Sequence, residues 1–260
     1  MIPPEMHDRI RRVLEALEAE EGVRVLYAVE SGSRAWGFAS KDSDYDVRLI
    51  YVRPAEWYAS IDVEDKRDVI EKMLPGDIDL SGWDVRKALR LYAKSNPPLL
   101  EWLDSPIVYR DERGFAAELR KLLPEFYSPI SCAYHYLQMA RRNIDAYCRG
   151  DRVKFKKYFY VLRPLLAVRW IEQDRGPVPM LFEKLLATIA DEPKLIAAIR
   201  DLHALKIANG ELGEGPRIDA IHDFAITDPS RIETTALELK KTHASIEPLN
   251  ELFRRMLKTA

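Results

Sequence analysis

The stretch Glu30–Leu49, ESGSRAWGFASKDSDYDVRL, constrains this chain more than any other. Before it lies Val23–Val29, VRVLYAV, whose β-branched and aromatic residues predict a buried strand, and Ser31-Gly32-Ser33 then breaks that strand into a tight turn. Gly32 lets the backbone turn sharply and lets a ligand come close to it. A short helical turn from Arg34 would aim free N–H groups and a positive dipole end at whatever sits beside Ser33, which suits a phosphate. After a ten-residue spacer come Asp44 and Asp46, opening a second predicted strand, DYDVRLIYV. Residues i and i+2 of a strand share a face, so the two carboxylates project the same way from roots about 7 Å apart. Carboxylates held side by side repel each other, and a hard cation such as Mg²⁺ relieves that repulsion through oxygen ligation. Asp-rich triplets also occur in turns, where Asp accepts backbone hydrogen bonds. The conjunction of strand, Gly-Ser turn, spacer and Asp-x-Asp is more specific, because it puts phosphate and metal ligands on neighbouring strands.

The rest of the chain reads as support. An amphipathic helix with Ile10, Val13, Leu14 and Leu17 on one face precedes the first strand and ends at Gly22. Residues 66–85 predict a hairpin, RDVIEKM and IDLSGWDV, around the turn Leu74-Pro75-Gly76-Asp77. Asp79 lies between Ile78 and Leu80 and so emerges on the opposite face from those core side chains. If its strand lies beside the one carrying Asp44 and Asp46, three carboxylates converge; otherwise Asp79 is a solvent-facing residue next to a turn. Asp84 predicts the N-cap of a helix, DVRKALRLYAK, which Ser95-Asn96-Pro97-Pro98 stops. Two short helices follow, separated by SPIVYRD, which adds a strand or covers the sheet. PEFYSP, residues 124–129, reads as a linker.

From Ile130 onward the periodicity is helical, with helices expected over residues 131–148, 152–173, 179–189, 192–208, 230–243 and 246–257, and a mobile glycine-rich loop over 209–217. The class is therefore α+β, a small mixed sheet followed by a helical bundle. At 260 residues and 47 % hydrophobic the chain can bury two cores, divided here as 1–124 and 125–260. The net charge of −2 gives no global preference for nucleic acid. Locally, nine basic residues lie between Arg141 and Arg169 against only Asp145 and Asp151. Lys157 and Arg163 are chosen from that group as ligands for a triphosphate, the alternative being a solvated helix face. Cys132 and Cys148 show neither metal nor redox spacing, and no apolar run of eighteen or leader-like segment occurs, so a soluble, cytoplasmic protein that does not engage membrane is expected.

The GS-x10-DYD pattern resembles the signature of the DNA polymerase β nucleotidyltransferase superfamily. More closely, ESGSRAWGF, DSDYDVR, DLSGWDVRKALRLYAKSNPPLLEWLDSPIVY and KKYFYVLRPLLAVRW resemble a bacterial and phage family of nucleotidyltransferases labelled RNA repair, strongly over residues 25–170 and weakly beyond. The resemblance implies transfer of a nucleoside monophosphate from an NTP, ATP among them, to an acceptor with two Mg²⁺ ions. Gly32 and Ser33 would hold the β- and γ-phosphates, with Arg34 close by. Asp44 and Asp46 would bind both metals, and Asp79, in the apolar-acid-apolar triplet of the superfamily's third acid, would ligate the catalytic metal and take the acceptor's proton. Arg48 shares the face of Asp44 and Asp46 and either pairs with one of them or contacts a phosphate. The family label points to an RNA 3′ end as acceptor; a protein side chain, a small hydroxylated molecule, or a non-catalytic nucleotide-binding module remain open alternatives.

Overall fold

A computed structural model describes residues 2–209, 213–235 and 244–258 and divides into two compact units. The first comprises residues 1–34, 44–126 and 243–260; the second comprises 35–43 and 127–242. This departs from the expected boundary at 124/125 in three places, the first being that the sheet unit runs on to residue 126. The last helix belongs with the sheet unit, and the short segment after the Gly-Ser turn belongs with the helical one.

In the first unit, helix α1 (Pro4–Glu21) buries Ile10, Leu14 and Leu17 and ends at Gly22, whose φ of 60° places it in the left-handed region. Strands β1 (Arg24–Glu30), β2 (Tyr45–Val52), β3 (Val69–Leu74), β4 (Ile78–Asp84) and β5 (Val108–Asp111) form one mixed sheet in the order β3-β4-β2-β1-β5. The pairings are antiparallel except for β2 and β4, which run parallel. Ile10, Leu14 and Leu17 pack with Val25, Val47, Leu49, Ile78 and Leu80 in the core under one face. The turn at Asp77, with φ of 57°, and Gly76, with φ of 83°, closes the β3–β4 hairpin as expected. Within β4, a Cβ on Gly82 would meet Leu49 Cδ1 at 2.7 Å, so any larger residue there would have to displace the buried Leu49 side chain.

The short helices α2 (Gly32–Trp36) and α3 (Ala55–Tyr58) flank β2 in sequence. Helix α4 (Val85–Tyr92) starts at Asp84, whose carboxylate accepts the Arg86 N–H at 2.8 Å, and buries Val85, Ala88, Leu89 and Tyr92. Helix α5 (Pro97–Leu103) and helix α6 (Phe115–Phe126) complete this part of the unit, α6 running through Pro124 into the stretch read as linker.

The second unit is helical. Helix α7 (Pro129–Tyr147) packs against α8 (Phe155–Glu172), whose buried Phe159, Leu162, Leu165 and Val168 make it the central element. Helices α9 (Phe182–Leu185), α10 (Pro193–Asn209) and α11 (Asp219–Thr235) follow. No strand was expected here, yet β6 (Arg152–Lys154) pairs with β7 (Glu214–Pro216), so α8 begins at 155 instead of 152. Part of the presumed loop is therefore ordered by pairing; residues 210–212 lie outside the described residues. Helix α11 starts eleven residues earlier than expected, because Ile221, Phe224 and Ala225 supply a buried face and Pro229 sits within the helix instead of before it. Residues 236–243 of the expected 230–243 helix lie outside the described residues. Trp36 and Phe38 explain why residues 35–43 group with this unit: Phe38 stacks on Phe159 at 4.5 Å, and Trp36 meets Tyr160 edge-on at 5.9 Å.

Helix α12 (Glu247–Leu257) returns the chain to the first unit, where Leu249, Leu252 and Met256 are buried. Cys132 and Cys148 are both buried thiols. Among the described residues, no helix is long and apolar enough to cross a membrane.

Candidate active site

Three backbone features of the first unit assemble the site. Strand β1 ends at Glu30, and the Ser31 N–H donates to the Asp46 carbonyl at 2.8 Å, tying the turn to β2. Gly32 has φ of +54°, and a Cβ added to it would lie 1.9 Å from Asp46 Oδ2. Only glycine lets this backbone lie against that carboxylate. The parallel register of β2 and β4 then sets Asp46 directly opposite Asp79, with Tyr45 opposite Ile78 and Val47 opposite Leu80. The apolar-acid-apolar triplets of the two strands therefore coincide, and both acids emerge on the face away from the core.

Arg48, two residues along β2 from Asp46, lies between the two carboxylates. Its Nη2 donates to Asp46 Oδ1 and to Asp79 Oδ2, each at 2.8 Å, while Nη1 donates to the Asp79 carbonyl at 2.9 Å. Of the two uses expected for Arg48, the structure shows the ion pair, made with both acids. The carboxylates remain partly open, with side-chain exposures of 25 % for Asp46 and 38 % for Asp79.

Asp44 does not join them. Strand β2 begins at Tyr45, whose N–H donates to the Asp77 carbonyl at 2.8 Å, and Asp44 stays exposed in the incoming loop. Among the described residues, no three His, Cys, Asp or Glu side chains gather into a metal-holding group. The expected triad is thus a pair in this structure, because the i, i+2 relation of Asp44 and Asp46 needs a strand that starts one residue earlier. Arg34 is also committed locally: its Nε donates to the Asp44 carbonyl at 3.0 Å, and its guanidinium lies 3.8 Å above the Tyr45 ring. Ser33, half-buried, sits in the first turn of α2 beside Gly32.

The donor chemistry nevertheless fits a divalent cation. Two carboxylates already share one positive group, and the glycine beside them leaves room no side chain could leave. A hard ion would take the place of the Arg48 guanidinium between oxygens of the same kind.

Beneath the site lies a residue not singled out in the sequence. Glu30 is fully buried; its Oε1 accepts the Asp46 N–H at 2.9 Å, and its Oε2 accepts the Tyr109 hydroxyl. Its backbone is clamped as well, by Ser105 Oγ on its carbonyl at 2.6 Å and by the Ile107 carbonyl on its N–H at 3.0 Å. Burial raises the Glu30 carboxyl to about 7, the hydrogen bonds from Tyr109 and the Asp46 N–H opposing the rise. The available signal was a lone acid ending an otherwise apolar strand; its partner Tyr109 is 79 residues away.

Lys157 and Arg163 belong to the second unit. Arg163 is 4 % exposed, donates to the Met180 and Pro179 carbonyls at 3.1 and 3.3 Å, and lies 4.8 Å from the Trp36 ring. That corrects its expected role: its donors serve the interior of the bundle. Lys157 lies over the Tyr147 and Tyr160 rings, at 4.6 and 4.9 Å. The basic segment around them disperses likewise, Arg169 pairing with Asp228 at 2.7 Å, Arg149 with Asp145 at 2.9 Å and Arg152 with Glu214 at 3.1 Å.

Comparison with known proteins adds three findings. The model of the family described as "RlaP: RNA repair pathway DNA polymerase beta family" matches residues 6–255. The uncharacterized protein YcgL of Bacillus subtilis (strain 168) is 50 % identical over 254 residues, covering 98 % of this chain and 96 % of its own length. A nucleotidyltransferase-like protein from Exiguobacterium sibiricum 255-15, solved by crystallography, aligns over 96 % of this chain and 80 % of its own at 12 % identity, with a TM-score of 0.32.

Proposed function

Because the chain belongs to the RNA repair pathway DNA polymerase beta family, we propose that it is a Mg²⁺-dependent nucleotidyltransferase that moves an NMP from an NTP to an acceptor hydroxyl, with an RNA 3′ end as the acceptor. The observation that carries this reading is the register match of Asp46 and Asp79 on parallel neighbours, sharing one cation beside a glycine that must be glycine. Asp46 and Asp79 would hold the metal, with Asp44 joining from its loop, and the bound ions would supply charge neutralisation for the triphosphate and its leaving group. Gly32 and Ser33 present backbone N–H groups and a hydroxyl to the β- and γ-phosphates. Arg48 releases the carboxylates and turns its guanidinium to a phosphate oxygen. Asp79 accepts the proton of the acceptor hydroxyl as that oxygen bonds to the α-phosphorus, while the bond from the α-phosphorus to the bridging oxygen breaks and pyrophosphate leaves. Glu30 and Tyr109 fix the backbone of Asp46 from below.

The bridging hold of Arg48 favours one second reading, a module that binds nucleotide without turnover, since an internal cation already offsets part of the pair's charge. Mg²⁺-dependent release of pyrophosphate from labelled NTP in the presence of RNA separates the two. Release that needs both Mg²⁺ and Asp46 supports the enzyme; nucleotide binding without release supports the module.

A further inference from the structure

The first unit holds a second charged concavity at the other end of β4. Helix α4 begins where β4 ends, and Asp84 is five residues from Asp79, so about 17 Å of strand separates this place from the carboxylate pair. Arg86, Arg90 and Lys94 follow one another at four-residue intervals along α4 and the turn after it, a row roughly 12 Å long. With Lys87 they line a cavity of about 240 Å³ that Trp57, Lys66 and Asp68 close from the opposite loop.

The partners of these cations are informative. Glu64, 63 % exposed, accepts from both Arg86 and Arg90, the latter at 3.4 Å, and Asp68 accepts from Lys87 at 2.8 Å. Asp84 is turned inward to the Tyr58 hydroxyl at 2.6 Å and caps α4. Exposed pairs contribute little to stability and exchange readily for a better anion. A carboxylate held by two guanidinium groups marks the place where a phosphate oxygen would be held more strongly.

We propose that this groove binds the phosphodiester backbone of a single-stranded nucleic acid, which displaces Glu64 from Arg86 and Arg90. A row of this length exceeds one phosphate group and suits successive ones along a strand. Trp57 at its edge adds an aromatic surface of the kind that accompanies cations in strand-binding grooves. The proposal rests on the nucleotidyltransferase reading only in taking the strand to be the acceptor. Strand binding is measured without turnover, so a wild-type protein that binds the strand but transfers with no NTP counts against the carboxylate reading alone, and transfer that survives while the α4 variants bind as wild type does counts against this groove alone.

The test is fluorescence anisotropy of a labelled twelve-nucleotide uridine oligomer at low salt. Arg90→Glu with Lys94→Glu is expected to weaken binding about tenfold or more and to flatten the log–log salt slope by about 1. Both residues are exposed, and the milder Arg90→Gln with Lys94→Gln should move binding the same way less far. Glu64→Gln is expected to tighten binding about twofold or more, because the competing carboxylate is gone. Arg141→Glu with Arg142→Glu, the same change of charge in the second unit, is expected to leave affinity within about twofold. The groove is overturned if the α4 variants bind as wild type does, if the Arg141/Arg142 variant weakens binding equally, or if a poly-glutamate peptide or inorganic phosphate competes as well as unlabelled oligomer.

Discussion

A methyl group at position 32 would sit 1.9 Å from Asp46 Oδ2, on a backbone whose φ of +54° disfavours any L side chain. Gly32→Ala should therefore cost about 1–3 kcal/mol in stability and displace Asp46. The check is a denaturant titration beside a transfer assay, with activity falling further than stability explains. Glu30 offers a second test at this scale. Its carboxyl stands at about 7 in the folded chain against an ordinary value of 4.5. The folded state thus binds the proton more tightly, and this contribution is complete below about pH 4.5 and lost as pH rises through 7. In metal-free protein, stability should fall between pH 5 and 8 by up to about 3 kcal/mol. Glu30→Gln should remove that slope, and an unchanged slope would contradict the burial of Glu30 as the cause.

Among the elements, the parallel pairing of β2 and β4 does most to make the site, since a one-residue slip would turn Asp79 to the opposite face from Asp46. The hairpin turn at Gly76–Asp77 starts β4 at Ile78, and the Tyr45 N–H on the Asp77 carbonyl ties the start of β2 to it. Helix α12 supports the same unit from far along the chain: Phe253 meets Tyr58 edge-on at 5.1 Å, and Arg24 Nη2 donates to the Met256 carbonyl at 3.2 Å. Leu252 is fully buried there, so Leu252→Ala should destabilise the first unit by about 2–5 kcal/mol. Hydrogen exchange should show the loss in β1 and α4 and leave α8 protected. Equal loss in α8 would contradict the division into units.

Across the whole molecule, what was legible in the sequence was what short-range pattern dictates. Alternation placed Asp46 and Asp79 on the open faces of their strands, Gly76 and Asp77 marked the hairpin, and Asp84 declared the cap of α4. Less legible was what long-range packing decides. Whether Asp44 continues β2 depends on where Asp77 offers its carbonyl, and the use of Glu30 depends on Tyr109 reaching it. The aromatic pair Trp36 and Phe38 carries residues 35–43 into the helical unit, which no local periodicity reveals. The basic residues between Arg141 and Arg169 look continuous in sequence but are divided among local partners and the bundle interior.

The central claim is transfer at the Asp46–Asp79 pair. The most direct measurement is the Mg²⁺-dependent incorporation of label from each α-labelled NTP into an RNA oligomer with a free 3′ hydroxyl, comparing wild type with Asp46→Asn and Asp79→Asn and with a 3′-deoxy oligomer. The expected result is label on the RNA in wild type, none on the 3′-deoxy oligomer, and a loss on the order of 10³-fold or more in both variants while each keeps its fold. Undiminished transfer by either folded variant, or no transfer by wild type with any NTP, would contradict it.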